Sequence, residues 1–152
     1  MTDPMGSVDE TSAGRLAAAW IDALNRRDLD AALELYAHDA VIASDGIGRL
    51  VPGSGGVLRG REALRDYWQA ALEQFPDTRF TCTSVYAGHE AVLIHYRNER
   101  GLEIGEFLVL RDGLVIQAHG TRRIQPEPLP SHTSRGSETE NARRDRPLRI
   151  HR

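Results

Sequence analysis

The period of the apolar residues changes once along this chain, and the change falls at Pro76. Before it, apolar residues recur three and four apart: Leu16, Trp20, Ala23 and Leu24; Leu29, Ala32, Leu33 and Tyr36; Leu64, Trp68, Ala71, Leu72 and Phe75. That spacing places each group on one stripe of an α-helix. After it, "RFTCTSVYA", "AVLIHYRNER", "LEIGEFLVLR" and "LVIQAHGTR" alternate with period two, separated by "GHE", a turn near Arg100-Gly101 and "RDG". Connections this short make the four strands antiparallel neighbours. Helices followed by a meander specify an α+β domain with the helices covering one face of the sheet.

The boundaries follow from turn and cap chemistry. A first helix is expected from about Ser12, with Ser7 and Glu10 at capping-box spacing as an earlier start. Asp28 is a natural N-cap for a second helix, "LDAALELYAHD", whose C-terminal end would hold His38 where a cation complements the helix dipole. "AVIAS" reads as a short strand, "DGIGRLVPGSGGVLRG" as a glycine-rich loop, and "REALRDYWQAALEQFP" as a third helix closed by Pro76. The expected organisation is a flexible start over 1–11, one domain over 12–124 and a disordered, proline-spaced polar tail over 125–152.

Composition narrows the partners. With 152 residues, 40% of them hydrophobic, the chain can bury one sizeable core. A net charge of -3 supplies no broad basic field, so neither nucleic acid nor an anionic membrane surface is an expected partner. The single cysteine, Cys82, forms no internal disulfide and is expected to be a buried strand residue. No apolar run approaches the ~18 residues of a membrane span. "MTDPMGSVDE" has no secretory pattern, and a cytoplasmic location is expected. "GSGG" lacks the Lys-Ser or Lys-Thr of a phosphate loop, and "HEAVL" lacks the second histidine of a zinc site, so no metal or cofactor is expected.

One residue breaks the strand pattern. Leu102, Ile104, Leu108 and Leu110 share a strand face, and Glu106 falls in the middle of it. A lone carboxylate on an apolar face is costly unless it is paired, neutralised or wet. A two-residue turn at Arg100-Gly101 would set His95 opposite Glu106 and gather Leu93, His95 and Arg97 on the face of Glu106 and Leu108. Catalysis by Glu106, His95 and Arg97, ligand binding without catalysis, and a purely structural polar network all remain open on this pattern. Trp20, Tyr36, Tyr67 and Trp68 are candidates for a cavity wall or for plain core, with Trp20 expected to face the pocket. Asp45 would enter from the loop and Arg122 would stand at the mouth. His119 would face outward.

"WIDALNRRDLDAALELYAHDAVI", "LRGREALRDYW" and "EFLVLRDGLVIQAHG" together resemble the nuclear transport factor 2-like superfamily over about residues 12 to 122, in the flavour of its SnoaL-like group of bacterial small-molecule proteins. The resemblance implies a cone-shaped half-barrel, cystatin-like, in which N-terminal helices pack on a curved, mostly antiparallel sheet around one apolar cavity. It also implies a small-molecule ligand, and a homodimer through the outer sheet face, where Glu103, Phe107, Val109 and Arg111 would lie. Against a ketosteroid isomerase, Trp20 stands where the oxyanion-hole tyrosine belongs and Ser44 where the general-base aspartate belongs. Only the second oxyanion-hole acid is matched, by Glu106. The fold serves cyclases, isomerases, dehydratases, epoxide hydrolases and binding modules. The expectation is therefore a cofactor-independent acid/base enzyme on a small apolar substrate, with a non-catalytic ligand-binding or dimerisation module as the alternative.

Overall fold

The computed structural model describes residues 6–130. Helix α1 runs Glu10–Asn25, and its N-cap is Asp9, whose carboxylate accepts the Ser12 N–H at 2.8 Å. Ser7 instead bridges to His89, and Val8 is buried. The described part of the expected flexible start is thus tied down, because the segment pairs with the β3–β4 turn. Arg27 takes a left-handed φ of 62° to end the first helix, and Asp28 caps α2, Leu29–Leu33, as expected.

Helix α2 is shorter than its apolar stripe. The chain turns into strand β1, Tyr36–Ala43, which pairs with β2 (Val57–Arg59) antiparallel and with β6 (Leu114–Arg122) parallel. Pairing with β6 at Tyr36 and with both neighbouring strands from Val41 outweighs the helical spacing of residues 34–39, so His38 is an exposed strand residue and not a helix terminus. The expected glycine-rich loop holds a short helix, α3, Asp45–Leu50, because Ser44 Oγ caps it by accepting the Ile47 N–H at 3.1 Å and Ile47 is fully buried. Helix α4, Arg61–Gln74, ends just before Pro76.

The meander is present as expected: β3 (Thr81–Gly88), β4 (Ala91–Arg97), β5 (Glu103–Arg111) and β6 follow one another antiparallel. The six-stranded sheet has the order β2-β1-β6-β5-β4-β3 and is curved and unclosed, with the helices on its concave side. Val92, Ile94, Leu108, Val115 and Ala118 are fully buried on that side. Cys82 is exposed, contrary to expectation, on β3, the edge strand of the sheet.

One register differs from the sequence reading and matters for the site. The β4–β5 loop is Glu99-Arg100-Gly101, closed by Asn98 N–H to Leu102 O at 3.0 Å, with Gly101 at φ 81°. The Asn98 side chain accepts the N–H groups of Arg100 and Leu102, fixing the turn. An odd loop shifts the ladder by one residue, and a one-residue shift exchanges the faces. Ile94 therefore pairs with Glu106, and His95 pairs with Gly105. The expected His95–Glu106–Arg97 cluster does not form.

Of the tail, residues 125–130 carry no helix or strand and are exposed. Residues 1–5 and the rest of the expected tail, 131–152, lie outside the described residues.

Candidate functional site

Between the concave sheet face, α1, α3 and α4 lies a cavity of about 250 Å³. Its walls are aromatic for a reason of spacing. Trp20 comes from the buried stripe of α1, Tyr36 from the start of β1, Tyr67 and Trp68 from the inward side of α4, and Tyr96 from the face of β4 that alternation turns inward. Trp20 packs against Tyr96 with centroids 5.3 Å apart and stacks on Phe80 at 6.1 Å, while Tyr36 meets Trp68 edge-on at 5.6 Å. Such tilted and edge contacts make a rigid wall.

Glu106 enters this wall from the middle of β5, only 8% exposed. Burial alone pushes its carboxyl up to about 8. Among the described residues no hydrogen bond or ion pair reaches it, and Tyr36, Tyr67 and Tyr96 are close enough for its charge to raise their own pKa values further. The group is accordingly a neutral acid at pH 7. Gly120 on β6 makes room for it: a Cβ there would stand 3.3 Å from Glu106 Oε2 and 3.1 Å from Ser44 Cβ.

The hydroxyls around Glu106 have hydrogens to give. Trp20 Nε1–H, which can only donate, gives its hydrogen to Tyr36 Oη at 2.9 Å. The Tyr36 hydrogen is then free for another acceptor. Tyr96 Oη has no hydrogen-bond partner among the described residues, and the Tyr67 hydroxyl lies against the α3 cap, near Gly46 and Ser44. Burial raises the pKa of all three tyrosines, so they stay protonated. The inner end of the cavity is a set of neutral donors in an aromatic chamber.

Among the sequence-predicted residues, the cavity gathers Glu106, Trp20, Tyr36, Asp45, Trp68 and Arg122. Asp45 stands at the mouth, its Oδ2 3.3 Å from Arg122 Nε. Leu108 is on the cavity side of the sheet but wholly within the core, and it does not line the space. His95, Arg97 and Leu93 are on the opposite face: His95 meets Thr83 Oγ1 at 3.3 Å, Leu93 pairs with Phe107, and Arg97 with Glu103. His119 also faces outward, as expected, 3.0 Å from Gln117.

Tyr96 and Phe80 were missed by the sequence reading, whereas Tyr67, a candidate there for cavity wall or plain core, does line the cavity. For Tyr96 a signal existed: Val92, Ile94 and Tyr96 form an uninterrupted apolar face, whereas Leu93, His95 and Arg97 do not. Among the described residues no cluster of three or more His, Cys, Asp or Glu side chains gathers to hold a metal ion. No helix among them is long and apolar enough to cross a membrane.

An α+β half-barrel with an acid at the bottom of an aromatic cavity defines a class of small pocket-bearing domains. Residues 17–125 match the SnoaL-like domain, and the chain belongs to that family. A SnoaL-like protein of unknown function from Burkholderia thailandensis E264 is 33% identical, with 78% of this chain and 99% of that one covered and a TM-score of 0.73. A putative ketosteroid isomerase from Kribbella flavida DSM 17836 is 23% identical over 80% of this chain and 84% of its own, TM-score 0.61. TerC, co-crystallised with polyporic acid, is 16% identical over 74% of this chain and 92% of its own, TM-score 0.62. The last two share the fold. No curated protein matches this sequence.

Proposed function

We propose that this domain takes up a small, largely apolar organic molecule and that Glu106 exchanges a proton with one oxygen of it. The observation that carries the reading is the isolation of Glu106, a buried carboxyl with no partner among the described residues and a pKa near 8. An acid tuned close to neutral pH donates and recovers a proton with little driving force lost in either direction. The hydroxyls of Tyr36 and Tyr96 beside it favour an oxygen that accepts, such as a carbonyl gaining negative charge as it is protonated or enolised. Isomerisation, cyclisation and dehydration share that step, and proton transfer of this kind needs no cofactor. TerC, co-crystallised with polyporic acid, and the putative ketosteroid isomerase share this fold, which supports a small organic ligand.

The test is a panel of carbonyl compounds assayed with wild type and Glu106→Gln. Glutamine keeps the shape but cannot transfer the proton, so turnover should fall about 10² or more while affinity changes modestly. Equal turnover on a true substrate removes the catalytic role. One observation favours a non-catalytic binder: the other carboxylates lining the cavity, Asp45 and Glu99, are at its mouth, so no second buried acid or base accompanies Glu106. On that reading no panel member turns over, and Glu106→Gln changes affinity alone.

We also infer a homodimer through the convex sheet face. Val57, Ala43, His119, Phe107, Leu93 and Tyr86 pair in one rung across all six strands, apolar except for His119. Tyr86 is 58% and Phe107 40% exposed. A mostly apolar rung of this length is what a self-complementary interface uses.

A further inference from the structure

The two ends of the cavity differ in charge. The inner end is neutral, but the mouth carries three guanidinium groups, Arg49, Arg100 and Arg122, against two carboxylates, Asp45 and Glu99. This excess of positive charge sits on a chain whose net charge is -3. Only Arg122 has an ion-pair partner among the described residues, Asp45, and the contact uses its Nε, leaving the Nη groups of the fork unspent. Arg100 lies over the Phe75 ring, 5.4 Å from its centroid. That contact orients a guanidinium without neutralising it. Asp45, in turn, is already engaged by Arg122, so the mouth offers far less to a cation than to an anion.

Resting on the pocket reading above, we propose that the molecule this cavity takes is an anionic amphiphile. Its flat apolar body lies among the aromatic walls, and its single anionic group, of the carboxylate or sulfonate kind, lies at the mouth between Arg100 and Arg122. The planar fork of arginine suits such groups because it gives two parallel hydrogen bonds to their oxygens. The neutral state of Glu106 is consistent with this, since an ionised carboxylate at the inner end would oppose an anionic guest. Mouth and inner end then hold the molecule in one orientation, with the anion outward and the reacting oxygen toward Glu106. Partly exposed charge contacts are individually weak, so each arginine is worth a few-fold in affinity.

Two fluorescent probes test this, 1-anilinonaphthalene-8-sulfonate and N-phenyl-1-naphthylamine, which share an apolar body and differ in the sulfonate. Trp20 and Trp68, the only tryptophans of the chain, both line the cavity, so quenching of their emission reports occupancy. The sulfonate should bind at least fivefold more tightly than the neutral amine, with the advantage shrinking in 0.5 M salt. Arg100→Gln and Arg122→Gln should each weaken the sulfonate about two- to fivefold and leave the amine unchanged, while Arg59→Gln, away from the cavity, should affect neither. Equal affinities, or arginine variants that move both probes alike, would overturn the anionic assignment while keeping the pocket. Binding of neither probe would overturn both.

Discussion

The indole N–H of Trp20 donates to the hydroxyl oxygen of Tyr36 at 2.9 Å, joining the middle of α1 to the first residue of β1 inside the core. Both side chains are nearly fully buried. Tyr36→Phe leaves the indole N–H without an acceptor, and an unsatisfied buried donor costs about 1–3 kcal/mol. Removing both partners, Trp20→Phe with Tyr36→Phe, leaves no orphan. Urea denaturation of the four proteins should give a double-mutant cycle in which the pair loses less stability than the sum of the single variants. Additive losses would mean that the bond contributes nothing.

Glu106 ties stability to pH in a direction opposite to most carboxylates. Its carboxyl titrates near 4.5 when unfolded and near 8 when folded. Between those values the folded chain holds a proton that the unfolded chain has released, so stability falls as pH rises through this window and levels off above it. The full cost is on the order of 5 kcal/mol at about 1.4 kcal/mol per pH unit. Asp9 and Glu103 act the other way, because the Ser12 amide and the Arg123 guanidinium hold their carboxyls below the usual range. Their contribution is lost only as pH falls below about 4.5, outside the window of Glu106. Glu106→Gln should therefore show a flatter profile and exceed wild type in stability at pH 9. A wild type as stable at pH 9 as at pH 5, relative to the variant, would mean that Glu106 is ionised without penalty.

The β4–β5 loop sets which side chains face the cavity, and Gly101 sets the loop. At φ 81° any residue with a Cβ is strained, while the open space around this glycine leaves no steric clash to confuse the result. Gly101→Ala should cost about 1 kcal/mol in a thermal or urea melt. Deleting Arg100 should do more, because it removes one of the two backbone N–H groups that the Asn98 side chain accepts and leaves Glu99-Gly101 to span the Asn98–Leu102 pair as a tight two-residue turn. A deletion variant that melts like wild type would show that the Asn98 contacts do not hold the turn.

These residues also show where the sequence was legible. The change of period at Pro76, the Asp28 cap and the "RDG" turn each depend on neighbours in the chain, and each was read correctly. Glu106 stood out because a lone acid in an apolar alternation is informative wherever the strand lies. The parity of the Glu99-Arg100-Gly101 loop depended on two side-chain bonds of Asn98, and reading it one residue short moved His95, Arg97 and Leu93 into the cavity and Tyr96 out of it. The start of β1 was hidden for another reason: Tyr36 fits the stripe of α2 equally well, and only pairing with a strand some 80 residues later resolves it.

The convex rung carries the last prediction. Phe107 stands at its centre, flanked by Leu93 and His119 on the neighbouring strands. At 40% exposure its ring can be recovered by a partner without repacking the core, whose side chains point the other way. If two copies meet here, Phe107→Glu sets two carboxylates against each other across the two-fold axis and removes the apolar centre of the interface. Light scattering at micromolar concentration should then give a dimer for wild type and a monomer for the variant, with the melting temperature of the variant falling only by the contribution of association. A monomeric wild type, or a variant that stays dimeric, would exclude this face as the interface.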